Sequence, residues 1–229
     1  KFIDGTYHYN VYVPAGYNSN KDRKYACLFI ASPGGNADLG NTKNWVKNKE
    51  WIVVMLVESK NGDTPWPAFS NFVSAHDDAV KRLRIQNGFK FGTGFSGGAR
   101  VSSNFAKQRE GFAGIILQGA GFGGNLDSGA NNKNLTVYAI IGKKDGNYYE
   151  LAQMEKGLPD YTVHKMVETE TDHQWAAEDE MTKGLEWTFD LAFKNARMSE
   201  GNKPFILNYR EKQWKDINQL PVGLEKLNQ

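Results

Sequence analysis

Residues 89–102 read FKFGTGFSGGARVS, and their centre sets one serine among glycines in the order Gly94, Phe95, Ser96, Gly97, Gly98. A G-x-S-x-G match is expected by chance about 0.1 times in a chain with 24 Gly and 10 Ser among 229 residues, so the flanking sequence decides what the turn is for. FKFGTGF before it reads as a strand. GARVSSNFAKQRE after it sets Val101 and Phe105 four residues apart, the spacing of one helix face. Ser96 is therefore expected on a tight strand-to-helix turn, where glycines remove the Cβ atoms that would clash and the hydroxyl projects from the carboxyl edge of a sheet. The helix that follows directs its N-terminal dipole and unpaired N–H groups at the same point, which favours an oxyanion there.

Outward from that turn, strands and helices alternate. YHYNVYVP (7–14) alternates like an edge strand with one wet face and closes on Pro14. YACLFIA (25–31) and WIVVMLV (51–57) are continuous apolar runs, suited to strands covered on both faces, with a short helix expected in TKNWVKNKE between them. ESKNGDTPWPAFSNF (58–72) holds two prolines and is expected as a loop. SAHDDAVKRLRIQNG (74–88) is expected as a helix capped by Ser74, with Asp77 three residues on, and stopped by Asn87 and Gly88. AGIILQGA, LTVYAIIG and TVHKMVE read as strands. YELAQMEKGL and AAEDEMTKGLEWTFDLAFKN read as helices, the second with Met181, Leu185, Thr188, Phe189 and Ala192 on one face. This order predicts an α/β fold: a mostly parallel central sheet with helices on both faces and an antiparallel N-terminal edge strand. Residues 1–198 are expected to form the catalytic domain. Residues 199–229 are expected as a C-terminal extension, packed on that domain by Ile206, Trp214 and Ile217 or trailing from it.

Charge and composition narrow the function. With 28 Lys+Arg against 26 Asp+Glu, there is no basic excess to bind nucleic acid or an anionic membrane surface. No apolar run reaches the roughly 18 residues of a membrane span. Cys27 is the only cysteine, which excludes an intramolecular disulfide and a cysteine-built zinc site, and in YACLFIA it reads as a small buried hydrophobe. The chain opens at Lys1 instead of Met, as a trimmed or cut chain does, and the expectation carried forward is a secreted or periplasmic protein.

A serine is a weak nucleophile at neutral pH and needs a base held by a third group. Of the four histidines, His8 and His164 fall in strands and His76 in a helix, which are structural positions. His173, in the loop of ETETDHQWAAEDE, can reach the carboxyl edge of the sheet. The acid is sought between serine and histidine. Asp145 follows LTVYAIIG on the same edge, Asp127 and Asp160 are weaker alternatives, and Asp172 sits beside the histidine and points elsewhere. An oxyanion hole needs two donors. The N–H of Gly97 is one, and the loop SPGGNADLG offers Gly34 or Gly35 as the other, Pro33 having no N–H to give.

Over about residues 5–197 the pattern resembles the α/β-hydrolase superfamily. YHYNVYVPAGY, GTGFSGGARVS, GKKDGNYY and DHQW are similar to its branch of polyhydroxybutyrate-depolymerase-like, feruloyl-esterase-like and dienelactone-hydrolase-like enzymes. The resemblance implies a triad of Ser96, Asp145 and His173 and ester hydrolysis through an acyl-enzyme, which requires neither metal nor organic cofactor. Members commonly carry His-Gly where this chain has Ser32 and Pro33, which leaves the second oxyanion donor open. Trp66, Tyr148 and Trp175, with Phe69, Phe72 and Tyr149, are expected either as an aromatic wall for a phenolic or polysaccharide-linked ester or as anchors of their loops. No insertion is long enough for a large lid domain, which favours an open esterase-like site. Serine peptidase or thioesterase activity, and a non-catalytic binding module of the same fold, are the alternative readings.

Overall fold

The computed structural model describes residues 7–62, 65–122, 132, 135–158, 162–196 and 200–219; within these, the side chains of residues 65–67 are left aside. Among the described residues, seven strands form one sheet in the order β1-β3-β2-β4-β5-β6-β7. They are β1 (Tyr9–Tyr12), β2 (Tyr25–Ala31), β3 (Ile52–Leu56), β4 (Ile85–Phe95), β5 (Phe112–Gln118), β6 (Thr136–Gly142) and β7 (His164–Thr169). Among these strands only β1 runs antiparallel, paired with β3, and the other strand pairings are parallel. The apolar runs of β2, β3 and β6 are buried along their whole length, because parallel strands carry helices on both faces.

The α-helices among the described residues are α1 (Lys43–Asn48), α2 (Pro65–Arg82), α3 (Gly97–Gln108), α4 (Tyr148–Lys156), α5 (Glu178–Asn195) and α6 (Lys203–Gln219). On one face α2, α3 and α4 enclose Phe29, Val54, Phe72, Phe105, Leu117 and Leu151. On the other, α1, α5 and α6 enclose Leu28, Trp51, Phe91, Tyr138, Leu185 and Phe189. After the edge strand β1, the chain runs through β2, steps outward to β3, then crosses back past β2 to β4 and proceeds to β7. At that reversal the loops leaving β2 and β4 head for opposite faces, so a crevice opens between them at the carboxyl edge.

Three local expectations are corrected. Helix α2 begins at Pro65, not at Ser74, which lies in its interior. Both prolines fall in the first turn, where the N–H groups they lack have no intrahelical partner. Asn87 and Gly88 do not stop that helix, because they lie inside β4. There β4 advances five residues, Ile85 to Lys90, while β2 advances two, Tyr25 to Cys27, and Gly88 absorbs the bulge at φ +81°. Residues after 199 include a helix that packs on the sheet's outer layer through Phe205 against Phe89, Ile206, and Tyr209 between Phe189 and Phe193. Trp214, expected in that packing, is 65% exposed and Ile217 is half-buried.

Beneath α2 lies a buried pair of basic side chains. Lys90 Nζ donates to His76 Nε2 at 3.0 Å and to the Glu110 carbonyl at 3.2 Å, and His76 Nδ1 donates to Asp77 at 2.8 Å. Burial, reinforced by the Lys90 ammonium, pushes the His76 pKa down to about 4, so the folded imidazole is neutral. The unfolded imidazole protonates near 6.5, so the folded state is progressively disfavoured as pH falls from 6.5 to about 4, by up to about 3 kcal/mol. In urea titrations across that window, His76→Gln, which keeps an acceptor for Lys90, is expected to lose less stability on acidification than the parent. Equal pH slopes would refute the assignment.

Candidate active site

Ser96 occupies the turn between β4 and α3 with φ +51° and ψ −120°, a conformation costly for any residue with a Cβ. The glycines around it follow from contact distances. A Cβ on Gly94 would lie 2.4 Å from the carbonyl carbon of Gly98, and one on Gly98 would lie 2.4 Å from the carbonyl oxygen of Ala31. The turn is pressed against the end of β2, and its backbone is held by Ser96 N–H donating to the Gln118 carbonyl at 2.9 Å. The hydroxyl makes no cap bond to its own helix, which leaves it free for another partner.

That partner is His173. Its Nε2 lies 3.0 Å from Ser96 Oγ, and its Nδ1 lies 2.9 Å from both carboxylate oxygens of Asp145. Asp145 sits in the loop after β6, buried, and accepts the Asn147 N–H at 2.8 Å. Asn147 in turn donates to the Gly119 carbonyl at 2.8 Å, fixing the acid's loop on the end of β5. The loop of His173 crosses directly over the end of β6, where a Cβ on Gly142 would meet the Thr171 carbonyl oxygen at 2.1 Å. Phe95 lies beneath the imidazole, ring centroids 4.6 Å apart, and Trp175 packs on Phe95 at 5.3 Å.

The structure thus brings together Ser96, Asp145 and His173 from three distant parts of the sequence. A hydroxyl bonded to an imidazole that is itself bonded to a buried carboxylate can lose its proton to Nε2 as it attacks an electrophile. The other histidines are engaged elsewhere: His8 with Glu58, His76 with Lys90, and His164 with the Thr162 carbonyl and Glu155. Asp127 and Asp160 lie outside the described residues, as does the side chain of Trp66. Phe72 is fully buried among Phe29 and Phe105, and Phe69 packs on Phe105, so both act as anchors. Tyr148 turns its hydroxyl to Glu168 on β7.

The loop after β2 carries the Gly34 and Gly35 expectation. Gly35 N–H is taken up by the Ser32 carbonyl at 3.1 Å, whereas Gly34 N–H makes only a long 3.4 Å contact with Ser32 Oγ. Gly97, as the first residue of α3, has an N–H with no intrahelical partner. Beside the loop opens a cavity of about 320 Å³, lined by Ser32, Asn36, Asp38, Asn41, Thr93 and Trp175 among others. No lysine or arginine is among its described lining residues.

Sequence reasoning missed a buried polar network behind this cavity. Gln118 Oε1 accepts from Asn41 Nδ2 at 2.8 Å and from Ala176 N–H at 3.2 Å, while its Nε2 donates to Thr93 Oγ1 at 3.1 Å. Asn41 also donates to the Ala176 carbonyl at 2.8 Å. The loop carrying His173 is thereby pinned to β5 and to the β2 loop. Its one signal in the sequence is a glutamine closing the apolar run AGIILQ.

Among solved structures, the chain is similar to a ferulic acid esterase (11% identity, TM-score 0.63, 80% of this chain over 91% of that one). It is similar to an S-formylglutathione hydrolase from Staphylococcus aureus (14%, 0.63, 80% over 92%) and to Est1E from Butyrivibrio proteoclasticus (13%, 0.62, 82% over 96%). No protein-family model and no curated protein sequence matches the chain. The likeness is one of architecture: the chain has the α/β-hydrolase fold, with the mostly parallel sheet and single antiparallel edge strand expected from its sequence.

A methyl group at position 98 has nowhere to go but into the Ala31 carbonyl. Gly98→Ala is expected to cost about 1–3 kcal/mol, read as a lowered urea midpoint at unchanged slope. A midpoint equal to the parent's would mean the turn is not pressed on β2.

Proposed function

We propose that the protein hydrolyses carboxylic esters through an acyl-enzyme, with Ser96 as nucleophile, His173 as general base and acid, and Asp145 as the group that fixes the imidazole. The reading rests on the 3.0 Å contact between Ser96 Oγ and His173 Nε2. Ser96 Oγ attacks the ester carbonyl carbon as its proton passes to His173 Nε2, and the carbonyl electron pair moves onto oxygen. Asp145 holds the Nδ1–H tautomer and stabilises the imidazolium. The oxyanion is met by the N–H groups of Gly97 and Gly34. Collapse re-forms the carbonyl and expels the alcohol, which takes the proton from His173. Water then gives a proton to His173 and attacks the acyl carbon, and Ser96 leaves with that proton. His173 is 41% exposed at its side chain, so the water has a path.

For the substrate we propose a phenolic or sugar-linked ester. Similar structures described as a ferulic acid esterase, and as Est1E with ferulic acid bound, support the acyl side. The cavity beside Trp175 supports the alcohol side, because hydroxyl, amide and carboxylate side chains with one aromatic face and no basic group among the described lining residues suit an uncharged, hydroxyl-rich group.

Incubation with a fluorophosphonate is expected to add one adduct to the parent and none to Ser96→Ala, measured by intact mass. Asp145→Asn is expected to retain the fold and lose about 10⁴-fold in kcat, since the amide favours the wrong imidazole tautomer. An unlabelled parent would refute the mechanism. Trp175→Ala is expected to raise KM for a feruloyl sugar ester several-fold more than for p-nitrophenyl acetate. Equal changes on both substrates would remove Trp175 from the substrate site.

A further inference from the structure

The loop after β2 is poorly equipped to supply oxyanion donors. Pro33 has no N–H, Gly35 N–H is closed into a turn on the Ser32 carbonyl, and only the N–H of Gly34 is left with a long contact. A third chain segment reaches the same spot. Residues 58–62, between β3 and α2, fold back over Gly97, and Asn61 is their point of contact. A Cβ on Gly97 would lie 1.8 Å from Asn61 Oδ1, 2.7 Å from its Cγ and 3.1 Å from its Nδ2, the three nearest atoms to that position. The residue after the nucleophile is a glycine because an amide occupies the place of its side chain.

Resting on the hydrolase reading above, we propose that the side-chain amide of Asn61 is a further oxyanion donor, converging with the N–H of Gly97 and Gly34 on the substrate's carbonyl oxygen. Three observations carry this. The side chain is exposed toward solvent and makes no hydrogen bond within the described residues, so its donor is available to a ligand. Its backbone is fixed: Asn61 N–H donates to the Pro33 carbonyl at 2.7 Å, and Lys60 pairs with Gly34 across an antiparallel bridge. The root of the segment is fixed as well, since Glu58 accepts from His8 N–H at 2.7 Å and from Asn71 Nδ2 at 3.2 Å. An unpaired polar group held by the backbone beside Gly97 N–H has little reorganisation left to undergo when negative charge develops. The amide oxygen and nitrogen exchange places by a half-turn of the terminal torsion, so an anion selects the orientation with the NH₂ group toward it. The same bridge that ties Lys60 to Gly34 makes the two loops one unit.

The test compares parent, Asn61→Ala, Asn61→Asp, Gly97→Ala and the Asn61→Ala/Gly97→Ala double variant on p-nitrophenyl acetate, with Ser96→Ala as the inactive reference. Asn61→Ala is expected to lose about 10²–10³-fold in kcat with KM within about twofold, the size of effect seen when one oxyanion donor is removed. Asn61→Asp keeps the shape, loses the donor, and is expected to be no better. Thermal midpoints should match the parent's, because no hydrogen bond within the protein is lost. Gly97→Ala expels the amide while keeping the backbone donor, so its cost should largely vanish in the Asn61→Ala background. An Asn61→Ala kcat within about threefold of the parent, or above it, would overturn the proposal. So would a Gly97→Ala cost that is the same in both backgrounds. A parent that neither turns over the ester nor takes up fluorophosphonate would instead bring down the hydrolase reading, and the donor assignment with it.

Discussion

The carbonyl oxygen of Ala31, at the end of β2, leaves 2.4 Å to the place where a side chain on Gly98 would begin. That approach forces a sharp turn from β4 into α3, and the turn holds Ser96 at φ +51°. Strain of this kind persists only where the surroundings over-determine it. Here Gly94 and Gly98 yield space to each other and to β2, while the Gln118 carbonyl holds the Ser96 N–H. The parallel pairing of β2 with β4, in register from Cys27 to Ala31, is what brings the two strand ends to the same height. The crevice at the strand reversal then supplies the space above them.

A second constraint is polar. The loops that carry the acid and the base are held by hydrogen bonds to the sheet's edge. Asn147 ties the Asp145 loop to Gly119. Gln118, buried and with both amide ends bonded, ties the loop after His173 to Asn41 and Thr93. In a low-dielectric interior such a network is rigid while complete and costly when broken, since each orphaned group would remain desolvated. Geometry at Ser96 Oγ is thus set by β4 and α3, and at His173 by β5, β6 and the loop after β2. The two sets meet over a 3.0 Å contact.

The turn at Ser96, the alternation of strands and helices and the loop positions of Asp145 and His173 were legible because each leaves a local mark. Fully apolar runs signal parallel strands, glycine spacing signals a close backbone approach, and chain order limits which acid and base can reach one edge. Local marks misled where a residue has more than one use. The prolines at 65 and 67 read as a loop but open α2, where their missing N–H groups cost nothing. Asn87 and Gly88 read as a helix stop but form a bulge within β4. Trp214, expected to pack the C-terminal extension unless that extension trails, faces solvent, while Phe205 and Tyr209 anchor α6.

By itself the sequence determined the layered α/β architecture and pointed to Ser96 and His173 at the carboxyl edge, with Asp145 foremost among three acids, since hydrophobic period, glycine spacing and chain order leave local marks. Tertiary structure alone decided which backbone donors stay open, why Gly97 carries no side chain, and how Gln118 holds the loop of His173. Those depend on contacts between residues as far apart as Asn41 and Ala176, or Asn61 and Gly97. A hydrogen bond or a steric exclusion between distant segments leaves no periodicity behind, because it constrains one pair of positions and not a run of them.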